Sequence, residues 1–348
     1  MNRISSAGSL CTGAVKKNDL APIALFVYNR PEHTQRTVNS LRENELAAQS
    51  DLFVFSDGPK DEVGSVAVRQ VRRYIHDIAG FKSVTVIERE RNLGLANSVI
   101  AGITQICNEF GRVIAMEDDL LTTPDFLTFM NQALERYAVE PRIFSVSGFN
   151  FGFEGKEKYS YDAFCFYRSS SLGWGTWKDR WEQADWEMSD YDVFCTDKKQ
   201  QQRFNRGGED LSNMLAMQMH GKINSWAIRW AYAHSKRSAF ALLSFRPRVI
   251  HIGCDSAATH SRRKSFKQLP LTEEWKSEFH FPDTVRLEEK FVLELQRSLR
   301  PSLARKLVRY FLRGRIRSDV KPIESSKSIL EKSGRSVVPD VHRRSAGD

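Results

Sequence analysis

The sequence predicts an α/β fold built on a mostly parallel central sheet with helices on both faces, and two features of its first 150 residues predict it. Short apolar runs recur that are continuous rather than alternating, the pattern of strands buried on both faces. Each run is followed by a stretch whose apolar residues fall three or four apart, the spacing of a helix laid back across the sheet.

Ile23 to Tyr28 is the first run and ends in Asn29-Arg30-Pro31, with Val38 and Leu41 at helical spacing behind it. Leu52 to Phe55 is the second, closed by Ser56-Asp57-Gly58-Pro59 and followed by Val68, Val71, Ile75 and Ile78 on one helix face. After the third run, Val84 to Ile87, the periodicity of Ala96, Val99, Ile100, Ile103, Ile106 and Phe110 is the strongest in the chain. Val113 to Met116 is the fourth and ends in Glu117-Asp118-Asp119. Thr123-Pro124-Asp125 then reads as a helix N-cap with proline at the first helical position, ahead of Phe126, Met130, Ala133, Leu134 and Tyr137. Ile143 to Val146 closes the series.

The rhythm divides the chain. Residues 1–20 are rich in Ser, Gly and Lys and are expected to be a flexible N-terminus. Residues 21–150 form the α/β half, and 151–265, aromatic and glycine-rich, the second half of the same domain. Residues 266–320 read as a helical basic extension and 321–348 as a disordered tail. From Arg297 to Arg317 there are eight Lys or Arg and no acid, interleaved with Leu299, Leu303, Leu307, Phe311 and Ile316, so much of the net charge of +9 is local. Such a helix, limited by Pro301 and Gly314 to about Ser302 through Arg313, either lies on an anionic membrane surface or packs its Leu face on the body. The basic residues are not interleaved with a nucleic-acid-binding motif, which argues against that partner. No apolar stretch has the length of a membrane span or a secretory signal. The five cysteines are scattered, with no metal-ligand spacing, and fit plain thiols in a reducing cytoplasm, with or without peripheral attachment to the membrane's inner face.

Ligands of open α/β sheets bind beyond the carboxyl ends of the strands. Asn29-Arg30, Asp57-Gly58, Arg91-Asn92-Leu93-Gly94 and Glu117-Asp118-Asp119 all fall at or just after those ends. Three successive acids are costly to hold together unless a cation neutralises them, which points to Mn²⁺ or Mg²⁺ on hard oxygen ligands. The same acids would also favour the N-terminus of the helix that follows.

The residues then resemble a family. Ile114 through Leu120 with Thr123-Pro124-Asp125-Phe126 is similar to the metal-binding segment of GT-A-fold glycosyltransferases, of the N-acetylglucosaminyltransferase I type and of bacterial surface-polysaccharide loci. Leu172-Gly173-Trp174-Gly175-Thr176-Trp177 resembles that group's Gly-Trp segment, Gly207-Gly208-Glu209-Asp210 its catalytic acid pair, and Arg248 to His260 its C-terminal loop. The resemblance spans about residues 22–265. It implies an inverting transfer of a sugar from a nucleotide diphosphate, UDP favoured, to a saccharide or lipid-linked saccharide in surface polysaccharide synthesis. Asp119 would bind the metal, with His260 a second ligand. Glu117 and Asp118 would hold the ribose, and Asp57 the base beside Tyr28, Asn29 and Arg30. Arg91, Asn92 and Leu95 would line the nucleoside and phosphates, and Asp210, paired with Glu209, would be the general base. Trp174 and Trp177 would bind the acceptor.

Each residue also has a plainer role open to it. Asp57 suits a turn, Arg91 a surface charge, Glu209 and Asp210 a helix cap at Leu211 and the two tryptophans a core, while His251 and His260 either structure their loop or contact the diphosphate or metal. A sugar nucleotidyltransferase is disfavoured because Asn29-Arg30-Pro31-Glu32 lacks a glycine-rich loop. A non-catalytic membrane-surface binding protein would have no use for two acid clusters.

Overall fold

The computed structural model describes residues 20–152, 159–253 and 268–298. β1 (Ile23–Val27), β2 (Asp51–Ser56), β3 (Ser83–Glu88) and β4 (Arg112–Glu117) form where the apolar runs lie. Helices α1 (Pro31–Arg42), α2 (Glu62–His76) and α3 (Leu95–Phe110) connect them, and the strands pair in parallel in the order β3-β2-β1-β4. The chain therefore crosses from one side of β1 to the other between β3 and β4, and α3 lands on the opposite face from α1 and α2. Ile23, Leu25 and Val27 pack with Val38, Leu41, Val71 and Ile75, whereas Ala24 and Phe26 pack with Ala96, Val99 and Ile103. Open α/β sheets bind ligands at such a reversal, which here falls at the carboxyl ends of β1 and β4.

Next come β5 (Leu120–Thr122), α4 (Phe126–Arg136), β6 (Ile143–Ser147), β7 (Ala163–Phe166), β8 (Trp174–Trp177), β9 (Phe240–Ser244) and β10 (Val249–His251). The sheet continues from β4 as β8-β6-β9-β7. β8 runs antiparallel to both β4 and β6, β6 and β9 are parallel, and β7 is an antiparallel edge. β5 and β10 form a separate antiparallel ribbon with His251 opposite Leu120.

The tryptophans of β8 lie in the core, the plainer of the two roles open to them. Trp174 is 1% exposed and stacks 4.9 Å from Trp226 within a cluster that includes Trp181 and Trp230. Trp177, three residues on, faces the other side of the sheet, where it is 5% exposed and its indole N–H donates to the Leu134 carbonyl at 3.0 Å. Between them, a Cβ on Gly175 would lie 2.8 Å from the Val113 carbonyl oxygen, so glycine there lets β8 close against β4.

The start of α4 also differs from the expectation of Thr123 as N-cap with Pro124 at the first helical position: Asp125 occupies the N-cap position, and its side chain makes no capping bond. Instead Thr123 Oγ1 donates to Oδ1 at 2.6 Å, while Arg248 Nε (3.3 Å) and the Lys276 amide (3.1 Å) donate to Oδ2. Asp125 and Arg248 are 0% and 1% exposed, and the guanidinium lies over Phe279 and Phe129, 4.5 and 5.3 Å from the ring centroids. A charge pair so deep is tolerated because its hydrogen bonds are met on both sides.

In the predicted extension, residues 268–298 carry Phe279, Phe281, Val285, Phe291 and Leu295 into the main core, the last two from the helix Glu289–Ser298. The expected flexible residues 1–19, the basic helix Ser302 to Arg313, the tail 321–348 and His260 lie outside the described residues. Among the described residues no helix is long and apolar enough to cross a membrane.

Candidate active site

β4 ends in Glu117, and the turn between it and β5 carries Asp118 and Asp119. Asp118 and Asp119 are 9% and 7% exposed, and the Tyr28 amide at the end of β1 reaches Asp118 Oδ2 at 3.4 Å. Arg30 Nη1 donates to Asp119 Oδ2 at 2.7 Å, and His251 Nε2 meets the same oxygen at 3.0 Å. The Ile252 amide donates to the Asp119 carbonyl at 2.8 Å, and Gln268 brackets the backbone N–H and C=O of His251, both at 3.0 Å. A Cβ on Gly253 would sit 2.0 Å from Asp119 Oδ2 and 2.8 Å from Arg30 Nη1, so glycine lets the chain pass with the Asp119–Arg30 pair in place.

The electrostatics are those of an acid cluster in want of positive charge. Burial, then the charges of Asp119 and Asp118, push Glu117 up to about 8. Burial and the Asp119 charge push Asp118 up to about 7. Burial works to raise Asp119 too, but the hydrogen bond and charge of His251 and the guanidinium of Arg30 outweigh it and hold the group below its ordinary value. Asp119 is thus the member that stays ionised, and its Oδ1 is buried with no hydrogen-bond partner among the described residues. Among those residues no three His, Cys, Asp or Glu side chains converge on a point. The arrangement fits an ion held by one or two protein groups and completed by substrate phosphates, the habit of Mg²⁺ in phosphate sites, rather than a closed cage.

A second cluster lines the rim at β2. Asp57, 5% exposed, accepts from the amides of Gly58 (3.0 Å), Leu93 (2.9 Å) and Gly94 (2.9 Å), and Asn92 Nδ2 donates to the Gly58 carbonyl at 2.8 Å. The structure therefore shows Asp57 clamping the loop before α3. The Tyr28 hydroxyl accepts from the Lys60 amide at 3.0 Å and links this cluster to the first. Asn29 is partly buried, Arg91 is exposed and Leu95 is 38% exposed at the start of α3.

Glu209 and Asp210 diverge. Asp210 sits at the N-cap of the helix Leu211–Met219 without capping it, and both its oxygens accept from Arg168, at 2.9 and 3.1 Å. Glu209 faces a shallow cleft of about 210 Å³ lined also by Gln202, Asn205, Arg206 and Gln296. Sequence reasoning did not find Arg168, and left His251 a choice between loop structure and phosphate or metal contact. For Arg168 the available signal was its position two residues beyond a buried strand.

A mixed α/β sheet whose crevice collects carboxylates at a strand-order reversal defines a GT-A type nucleotide-sugar fold, and residues 23–174 match the model of "Glycosyl transferase family 2". Over those residues the chain is thus similar to glycosyltransferases of that family. Among curated proteins the chain is 26% identical over 186 residues to an alpha-1,3-mannosyl-glycoprotein 2-beta-N-acetylglucosaminyltransferase of Arabidopsis thaliana, a match covering 48% of this chain and 41% of that one. The chain thus spans about two fifths of that relative's length. Among solved structures, S. aureus TarS residues 1–349 align over 67% of this chain and 61% of that one at 11% identity and a TM-score of 0.37. The mannosyltransferase PcManGT from Pyrobaculum calidifontis, in complex with GDP-Man and Mn²⁺, aligns over 38% and 39% at 17% identity and a TM-score of 0.25.

Proposed function

We propose that the chain is a metal-dependent, inverting glycosyltransferase that moves a sugar from a nucleotide diphosphate, UDP favoured, to a saccharide or lipid-linked saccharide hydroxyl. The observation that carries this reading is Asp119: an ionised carboxylate with one buried oxygen that has no hydrogen-bond partner among the described residues, at the strand-order reversal of a domain similar to glycosyltransferases. Asp119 and His251 would hold Mn²⁺ or Mg²⁺, with His260 the further candidate from the sequence. When bound, the ion supplies positive charge to the diphosphate leaving group.

The chain's own groups do the rest. Arg30 orients Asp119 and adds a second positive charge beside the diphosphate. The loop clamped by Asp57, with Arg91, Asn92 and Leu95, forms the wall against which the nucleoside rests, beside Tyr28 and Asn29. Glu117 and Asp118, partly protonated in the absence of positive charge, become hydrogen-bond partners for the ribose. Asp210 accepts the proton of the attacking hydroxyl as the bond from that oxygen to the anomeric carbon forms and the bond to the diphosphate oxygen breaks. One base opposite the leaving group yields inversion.

The test is release of nucleoside diphosphate from a panel of nucleotide sugars with Mn²⁺, with Mg²⁺ and with chelator. Turnover that chelator abolishes supports the reading, and no release from any donor refutes it. Full turnover in chelator would favour a second reading, in which the 2.7 Å Arg30–Asp119 pair alone neutralises the site. We also propose that the basic segment 297–317 takes the protein to anionic membrane, as a cytoplasmic peripheral protein. Binding to phosphatidylserine vesicles that high salt reverses would support it, and equal binding to neutral vesicles would refute it.

A further inference from the structure

We infer that Arg168 is the positioning residue of the base Asp210, an inference that rests on the reading of Asp210 above. Asp210 stands where a carboxylate ordinarily caps its helix, but its backbone is helical (φ −86°, ψ −20°) rather than extended, and no cap bond forms. The carboxylate is turned instead onto a guanidinium that meets both oxygens in a fork. Two parallel bonds of this kind fix the plane of the carboxylate as well as its place, which a single bond or a lysine does not.

The scaffold around the fork is rigid. Arg168 follows β7, is 8% exposed and lies over Phe151, 5.8 Å from the ring centroid. A Cβ on Gly207 would come within 3.1 Å of the Tyr167 carbonyl oxygen and 3.2 Å of Arg168 Cβ, so this glycine lets the acid-bearing turn approach the arginine. The Asp210 side chain itself keeps 20% of its surface against 10% for Arg168. The acid is the more exposed partner of the pair, so lone pairs that the fork leaves unused can meet an acceptor hydroxyl.

The experiment is a double-mutant cycle on the full chain, reading UDP release from a UDP-sugar with Mn²⁺. Arg168→Ala should lower kcat by about tenfold or more, part of the roughly 10²- to 10⁴-fold that base assistance supplies, while donor KM stays within about twofold. Arg168→Lys, which keeps the charge without the fork, should fall between, and it decides the matter should the alanine variant fail to fold. Added guanidinium should restore part of the rate of Arg168→Ala. In an Asp210→Asn background neither the Arg168 change nor guanidinium should alter the rate. Wild-type kcat in both Arg168 variants, or the same loss in the Asp210→Asn background, overturns the inference while leaving Asp210 as base. Wild-type turnover by Asp210→Asn overturns the base reading, and the inference with it.

Discussion

Replacing Gly253 with alanine probes the site through a single methyl group. The backbone at 253 does not adopt the left-handed conformation that disfavours a side chain, so the fold accepts alanine there. Removing a glycine from the unfolded chain contributes about 0.4–1 kcal/mol of stability where the conformation is compatible. The obstacle is local. The new Cβ would lie 2.0 Å from Asp119 Oδ2, whereas ordinary contact begins near 3.4 Å, so the carboxylate must retreat by more than 1 Å. That motion breaks its bonds to Arg30 (2.7 Å) and His251 (3.0 Å) and carries Oδ1 out of place. Misplacing a group of the reacting assembly by about 1 Å costs on the order of 100-fold in rate. Gly253→Ala should thus melt within a few degrees of wild type, lose about two orders of magnitude in kcat/KM, and need more Mn²⁺ for half-maximal UDP release. A folded Gly253→Ala protein with wild-type kcat/KM and Mn²⁺ dependence would falsify the assignment of Asp119 to the centre of the site.

Three further predictions concern charge and core. Asp119→Ala should abolish Mn²⁺-dependent UDP binding in calorimetry, and binding as tight as wild type would remove Asp119 from the metal. His234, 0% exposed and bonded to Ser145 and the Trp230 carbonyl, is pushed down to about 4 by burial, so the folded chain excludes a proton that the unfolded chain takes up near 6.5. Stability should therefore be complete above about pH 6.5 and fall by up to about 3 kcal/mol as pH drops toward 4, a slope that His234→Gln should flatten in urea titrations. Parallel slopes in the two proteins would contradict it. Trp174→Ala should cost about 3–5 kcal/mol of stability, read from denaturant midpoints, as the loss of a fully buried indole does. A near-normal midpoint with lost acceptor binding would return that ring to the substrate.

The parallel half of the sheet was legible because strands covered on both faces leave continuous apolar runs, and because the carboxyl ends of such strands mark the rim in advance. What escaped depended on partners far along the chain. β8 reads as Trp-Gly-Thr-Trp, whose burial comes from large rings on both sides of the sheet and not from periodicity, so the segment looked like a sugar platform. Thr123-Pro124 reads as the start of α4, and in one dimension nothing shows that Asp125 behind it is half of a buried ion pair with Arg248, 123 residues away. Arg168 and Asp210 meet across 42 residues, through a turn with no strand or helix signal of its own. His251 was visible as a loop histidine, but its contact with Asp119 needs the pairing of β5 with β10.

That ribbon bears on how the protein is made. The carboxylates leave the ribosome on residues 117–119, but the strand that seats His251 against them follows more than 120 residues later. At about 5–20 residues per second, the interval is on the order of ten seconds. During that time a nascent chain carries the acids without the histidine and glycine that pack against them. A polypeptide interrupted between residues 122 and 249 would carry the acids of the site and β5, but not the strand that seats His251 against Asp119.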